Sequence, residues 1–262
     1  MNINNYHTLE NIKGIKRILK KEDIVLCDYN IYGCWNSDNK HLFNHQSYNI
    51  GDIFNMPYLN NFWPEKTILS KKIITKDAIY DKTIVNFYEE SKPVDEIVPN
   101  IPRIIRSVNE FTDKYKNNYI DIHNFVKNPK CMCIHIRSGD TDFLNEKFIN
   151  VIYECSKKFD YIILLSGVHS AISAKSHNES IDKFYTDINK ILSLNTNIYI
   201  HLDIADIHLS LMSNASNLLL HCGGFSAIGS IISTGNLFIT KRFNHAFKEN
   251  WITQVNKPYI LL

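Results

Sequence analysis

The side chains best suited to chemistry in this chain lie at the end of one apolar run. His135, Arg137 and Asp140 interrupt or follow the run that begins at Cys131. Such a run is typical of a strand that is buried on both faces, and Gly139 and Asp140 favour a turn that ends it. Because His135 and Arg137 are two residues apart, a strand places both side chains on the same side.

Arg137 is the residue in this group that most directly suggests a ligand. Its guanidinium is a planar fork of donors that matches phosphate or carboxylate groups. In open α/β sheets ligands bind at the carboxyl ends of strands, where this side chain would emerge. The pattern indicates an anion site, while a structural alternative stays open. In that alternative Arg137 pairs with Asp140 to close the turn, and His135 is a satisfied core histidine.

A second turn, Cys222-Gly223-Gly224-Phe225-Ser226, has the composition of an anion-binding helix start. Glycines let the backbone approach a ligand closely, and a helix N-terminus offers free N–H groups and partial positive charge. The turn has neither the lysine of a P-loop nor the G-x-G-x-x-G pattern, and glycine also serves tight helix–strand packing. Together with Arg137, it predicts a diphosphate held between a guanidinium and a helix start.

The elements that must position these turns alternate between strand and helix in the second half of the chain. Apolar runs predict strands at residues 131–136, 161–167, 198–202, 218–220 and 237–239, and helical spacing predicts helices at 145–158, 179–194, 206–216 and from 223 to 232. This order predicts an α/β fold with a parallel sheet and right-handed crossovers. The turns that follow the strands should therefore meet at one edge of the sheet.

The first half is less regular. Apolar residues at Ile12, Ile15, Ile18 and Leu19 predict a helix over residues 5–21. Prolines then punctuate the chain between residues 91 and 103. We therefore predict two domains, an N-terminal one of residues 1–102 and a C-terminal one of residues 103–262.

Composition excludes several classes of protein. Acidic and basic residues nearly cancel, leaving a net charge of +2 without a long basic run, so no nucleic-acid partner is predicted. No stretch approaches about 18 uninterrupted apolar residues, so no transmembrane segment is predicted, and no secretory signal is visible. The cysteines form no C-x-x-C pair and are predicted to be reduced thiols of a cytoplasmic protein, without a metal site.

Two blocks of the sequence resemble the superfamily of α1,2-, α1,6- and protein O-fucosyltransferases. The first is His135-x-Arg137-x-Gly139-Asp140 at the end of a buried strand. The second begins at Asp206, continues through a Leu-Met-Ser run and an apolar strand, and ends in Gly224-Phe225-Ser226. The similarity covers residues 130–235, with two departures. Gly223-Gly224 replaces the family's usual Ser or Thr before Phe-Ser, and an early glycine-rich turn is not recognisable.

The resemblance implies a GT-B-like fold of two Rossmann-like domains, the N-terminal one reduced. It implies a donor substrate, GDP-fucose or another nucleotide sugar, a glycan acceptor, no metal, and inversion of the sugar configuration. By position, the implied catalytic residues are Arg137, on the β-phosphate, and Asp140, which holds the Arg turn. The implied donor-binding residues are His135, Arg137, Asp206, Gly223, Gly224, Phe225 and Ser226. Spacing alone equally allows Asp206 to be a helix cap.

Two other functions stay open. Polysaccharide pyruvyltransferases share a GT-B-like shape, and Asn49-Ile50-Gly51-Asp52 loosely resembles their early Asn-x-Gly-Asp turn. The third possibility is a non-catalytic glycan-binding protein with a degenerate glycosyltransferase fold. No general base is identified from the sequence, and Asp28, Asp52 and Glu65 are the candidates on the acceptor side.

Overall fold

A mostly parallel β-sheet organises the part of the chain that the structure describes. The computed structural model describes residues 6–24, 105–106, 108–110, 112–113, 116–139, 144–168, 174–203, 205–222, 224–240 and 258–262. The strands are β1 (Ile15–Lys16), β2 (Cys131–Ser138), β3 (Tyr161–Val168), β4 (Ile198–His201), β5 (Asn217–Leu220), β6 (Asn236–Ile239) and β7 (Tyr259–Leu261). Their order in the sheet is β1-β4-β3-β2-β5-β6-β7.

The strand order contains a reversal next to β2. In the sheet order β4-β3-β2-β5-β6-β7, each strand pairs in parallel with the next. β1 lies outside β4 and pairs with it antiparallel. Counted from β2, the six parallel strands have the order 3-2-1-4-5-6, which is the order of dinucleotide-binding folds. The chain first winds outward from β2 to β4 and then returns to β5 on the other side. In sheets of this order, ligands bind at the carboxyl ends of the two strands beside the reversal, which here are β2 and β5.

The described helices connect these strands. They include α1 (Ile120–Val126), α2 (Glu146–Lys158), α3 (Ala174–Leu192), α4 (Ala205–Asn214) and α5 (Gly224–Ile232), with short 3-10 helices at Tyr6–Asn11, Lys21–Asp23 and Lys116–Tyr119. Asn145 caps α2, because its side chain accepts a hydrogen bond from the backbone N–H of Phe148. The α/β fold predicted for this half of the chain is confirmed.

The two faces of the sheet differ in chemistry because successive strand residues point to opposite sides. On one side, which we call the aliphatic face, Met132, Ile134 and Ile136 of β2 join a buried hydrophobic core with residues of α2 and α3. Phe184 and Ile188 of α3 are fully buried in that core. Burial of apolar area of this kind is the main stabilising contribution to such a sheet.

The opposite side, which we call the histidine face, carries the alternate residues of β2, including Cys131, Cys133 and His135. α1, α4 and α5 cover this face. His208 of α4 lies beside His201 of β4, with ring centroids 5.4 Å apart. Four buried histidines, His123, His135, His201 and His208, therefore lie on this side of the sheet.

The predicted helix over residues 5–21 is wrong. The segment instead forms a 3-10 helix, a turn at Gly14 and the short strand β1. Gly14 has φ +83°, which belongs to the left-handed region and interrupts any helix. The apolar spacing was misleading because Ile15 and Leu19 are buried while Ile18 is 73 % exposed.

The remaining predictions concern boundaries. The five predicted strands are present, and each predicted helix between residues 145 and 232 is present with ends that differ by at most five residues. Strand β7 was not predicted. The domain boundary at residues 102 and 103 lies outside the described residues and stays a prediction, as does the two-domain GT-B layout. Within the described ranges, no helix is both long and apolar enough to cross a membrane.

Candidate functional site

A hydrogen bond joins the two sequence blocks that were predicted to form one site. His135 Nδ1 on β2 and Ser226 Oγ in the first turn of α5 are 2.6 Å apart. The residues are 91 positions apart in the sequence, and both are buried, with 2 % and 0 % of their surface exposed. The structure therefore brings the Arg137 strand and the glycine-led helix together at the strand-order reversal.

Register explains why these two residues meet. β2 pairs with β5 only from Cys133 to His135, and the last pair is His135 with Leu220. The chain leaves β5 at that point and enters α5 four residues later. The start of α5 must therefore lie directly beside the end of the β2–β5 ladder, where its Ser226 reaches the imidazole.

Arg137 lies beyond that ladder, at the open end of the strand. Its neighbour on β3 is Gly167, which has no side chain to occupy the adjacent space. The six residues before it in β2 are buried, whereas Arg137 is half-buried. Because it follows His135 by two residues, its side chain starts on the same face, toward the first turn of α5. This placement suits a cation that serves a ligand at the edge of the sheet.

Two hydroxyls fix the turn that follows Arg137. The Ser138 hydroxyl donates to Asp187 Oδ2 on α3 at 2.8 Å, and the Ser166 hydroxyl donates to the backbone oxygen of Ile136 at 2.7 Å. Gly139 then has φ +114°, a conformation that L side chains rarely adopt. The sequence interpretation placed Ser138 and Ser166 in turns at this edge of the sheet but gave their hydroxyls no role, and it did not identify Asp187.

The helix start offers hydrogen-bond donors of its own. The first N–H groups of any α-helix have no partner within the helix and carry partial positive charge. In α5 these groups belong to the turn around Gly224, Phe225 and Ser226, next to His135. A diphosphate placed between this turn and Arg137 would meet backbone donors on one side and a guanidinium on the other.

Neutral histidines underlie the site. The Nε2–H of His208 donates to the backbone oxygen of His201 at 3.1 Å, since a carbonyl can only accept. Burial, together with the neighbouring His135, lowers the pKa of His208 to about 3. Burial also lowers the pKa of His201 well below its ordinary value, with contributions from His208 and His123. These imidazoles are therefore uncharged at neutral pH.

His123 extends this polar layer to α1. It shares a 3.2 Å hydrogen bond with Ser210 of α4, and burial together with Lys127 lowers its pKa to about 4. Ser210 in turn is 2.6 Å from the Thr112 hydroxyl. All five histidines whose side chains the structure describes, which include His221 stacked on Phe148, are buried.

The other predicted site residues are placed only in part. Asp140 and Gly223 lie outside the described residues. Asp206 is the second residue of α4, and Gly224 and Phe225 begin α5, but only their backbone is described. The acceptor-side candidates Asp28, Asp52 and Glu65 also lie outside the described residues.

The cysteines near this region are buried, and cysteine is one of the side chains that could bind a metal ion. Cys131, Cys133, Cys155 and Cys222 are buried thiols, and burial raises the pKa of the Cys155 thiol to about 11. The side chains described contain no group of three or more His, Cys, Asp or Glu arranged to hold a metal ion.

Comparisons with known proteins do not assign this chain to a family. No family model, no curated protein and no solved structure matches the chain.

Proposed function

We propose that this chain is a glycosyltransferase that transfers fucose from GDP-fucose to a glycan acceptor, without a metal and with inversion at the sugar. The observation that supports the proposal is the 2.6 Å bond between His135 and Ser226. It joins the two blocks that resemble the fucosyltransferase superfamily, at the reversal of strand order where nucleotides bind in related sheets.

The roles of the residues follow from charge. In the reaction, the acceptor oxygen bonds to the anomeric carbon while the bond from that carbon to the β-phosphate oxygen breaks. GDP leaves with the bonding electrons, and the acceptor proton passes to a base on the acceptor side. Arg137 would stabilise the negative charge that develops on the departing diphosphate, and the first N–H groups of α5 would share it. Asp140 would hold the turn, and Asp206 would bind the guanine.

Thermal unfolding with candidate donors tests the proposal. A ligand that binds only the folded state raises the midpoint of unfolding. GDP and GDP-fucose are expected to raise it, whereas UDP and phosphoenolpyruvate are not. Stabilisation by phosphoenolpyruvate alone would favour a pyruvyltransferase. Stabilisation by a glycan without any nucleotide would favour a non-catalytic glycan-binding protein.

Arg137→Ala sharpens the test. It is expected to abolish both the shift with GDP and the transfer of fucose, which is measured as GDP release in the presence of acceptor glycans. Arg106→Ala is the matched control, because it removes an arginine that is exposed. A variant Arg137→Ala that kept its GDP shift would make Arg137 a structural turn residue and contradict the proposal.

A further inference from the structure

His135 and Ser226 form a hydrogen bond beside the candidate anion site. Ser226 is completely buried and His135 nearly so. A ligand in the crevice between β2 and β5 therefore meets neither side chain directly. At 2.6 Å, the hydroxyl and the imidazole nitrogen are within hydrogen-bond distance of each other. Direct phosphate contact by the Ser226 hydroxyl is thus not the use that the geometry favours.

A serine bonded to a histidine can also be a nucleophile with its base. That arrangement requires the hydroxyl to reach the reacting atom of a substrate, and the 0 % exposure of Ser226 prevents this. The bond instead joins β2 to the first turn of α5, beside the point where the short β2–β5 ladder ends at His135.

Arg137 lies close enough to the His135–Ser226 bond for that bond to affect its position. Arg137 follows His135 by two residues, which is about 7 Å along a strand. Beyond His135, β2 pairs only with β3, through Ser138 and Val168. The His135–Ser226 bond therefore contributes to holding the side of β2 that faces α5, next to Arg137. Movement at that bond would change the distance between the guanidinium and the helix start.

We propose that Ser226 and His135 are positioning residues that hold Arg137 and the first turn of α5 at the spacing a diphosphate requires, without touching the diphosphate themselves. The diphosphate as ligand rests on the proposed function, whereas the positioning of Arg137 can be measured without any ligand. An unpaired buried polar atom is costly, so the loss of one partner displaces the other.

Substitutions at His135 can separate the two ring nitrogens. Nδ1 is bonded to the ring carbon next to Cβ, and the amide of Asn occupies the same place. The amide of Gln reaches the place of Nε2 instead. His135→Asn should therefore keep a partner for the Ser226 hydroxyl, while His135→Gln and Ser226→Ala should lose the bond. Ser213→Ala is the matched control, because it removes another buried serine hydroxyl, which donates to the Ser210 oxygen at 2.8 Å.

The first measurement is the Arg137 Nε–H resonance of the intact protein. One sharp resonance is expected for the wild type, His135→Asn and Ser213→Ala, and a broadened or multiple resonance for Ser226→Ala and His135→Gln. The second measurement is titration with inorganic pyrophosphate and with GDP. Ser226→Ala and His135→Gln should weaken both affinities about tenfold or more, and His135→Asn should restore most of the loss.

The outcomes separate the two claims. An unchanged Arg137 resonance together with unchanged affinity in folded Ser226→Ala would overturn the positioning role. A fluorophosphonate that labels Ser226 would overturn it as well, because the hydroxyl would then be an accessible nucleophile. If the wild type binds neither GDP nor pyrophosphate while the resonance still responds to Ser226→Ala, the proposed function fails and the positioning of Arg137 stands.

Discussion

The hydroxyl of Ser138 donates to Asp187 at 2.8 Å and ties the residue after Arg137 to the middle of helix α3. Ser138 is fully buried, and Asp187 also lies 3.5 Å from Lys183. The turn that carries the candidate anion site is therefore anchored on the aliphatic side of the sheet, while Arg137 starts on the other side.

Removal of Asp187 should loosen this anchor. Asp187→Ala leaves the buried Ser138 hydroxyl without its acceptor, which costs about 1–3 kcal/mol of unfolding free energy. Chemical denaturation measures this loss, and GDP titration should show weaker binding. Asp182→Ala on the same helix is the control, because its ion pair with Lys21 is exposed and should contribute less than about 1 kcal/mol. Equal losses in both variants would contradict the anchoring role.

Arg17 should stabilise the chain through the end of α3. Its guanidinium donates to the backbone oxygens of Leu192, Asn195 and Thr196. Arg17→Met keeps the apolar stem but removes these donors, and should cost about 1–3 kcal/mol in chemical denaturation. Lys21→Met, which removes an exposed pair with Asp182 and a contact of the ammonium with the Tyr185 ring, is expected to have a much smaller effect. An Arg17→Met protein with the same free energy of unfolding as the wild type would mean that the conformation of residues 14–17 does not depend on these bonds.

Gly14 should tolerate no side chain. Its φ of +83° is unfavourable for other residues, and an added Cβ would lie 2.9 Å from His201 Nε2 and 2.9 Å from the Leu202 oxygen. Gly14→Ala is therefore expected to cost about 2–4 kcal/mol, combining backbone strain with overpacking. Thermal unfolding of this variant beside Lys13→Ala, its neighbour in the sequence, checks the expectation. A Gly14→Ala protein as stable as the control would contradict this turn geometry.

Stability should fall as the pH drops below about 6.5, the ordinary pKa of histidine. In the folded state burial lowers the pKa of His123 to about 4 and that of His208 to about 3. The unfolded chain therefore binds protons first, and stability that is complete above pH 6.5 is lost progressively toward those values. Each such histidine contributes a slope of up to about 1.4 kcal/mol per pH unit.

The variant His208→Gln isolates one of these histidines. Its amide can replace Nε2 as donor to the His201 oxygen but does not titrate. Urea denaturation between about pH 7 and pH 5 should therefore give a shallower loss of stability for this variant than for the wild type. Parallel profiles for the two proteins would show that His208 does not resist protonation in the folded state.

The sequence predicted most of the sheet because the strands are continuous apolar runs and the intervening helices have clear periodicity. It failed at residues 5–21, where the spacing of Ile15 and Leu19 satisfies a helix as well as the observed strand and turns. Strand β7 escaped prediction because three residues carry no measurable period. The local sequence pattern thus identified the longer helices and the strands that form continuous apolar runs, but not the shortest elements.

The sequence predicted which residues belong to the candidate site, but not which of them contact each other. Arg137 could be chosen because it lies near the end of a buried strand, and Ser226 because it follows one. The bond between His135 and Ser226 could not be predicted, since it depends on the pairing of β2 with β5 across 91 residues. The anchor from Ser138 to Asp187 depends in the same way on which face of β2 meets α3, and no spacing within one segment encodes that.

The unequal faces of the sheet have a consequence for how this scaffold tolerates change. A large apolar cluster fills the interior beneath α2 and α3, so substitutions there are expected to abolish expression before they alter selectivity. The opposite layer holds hydroxyls and imidazoles whose exchange modifies local polarity. Libraries intended to shift ligand preference should therefore randomise the layer beneath α4 and α5 and leave the other interior intact.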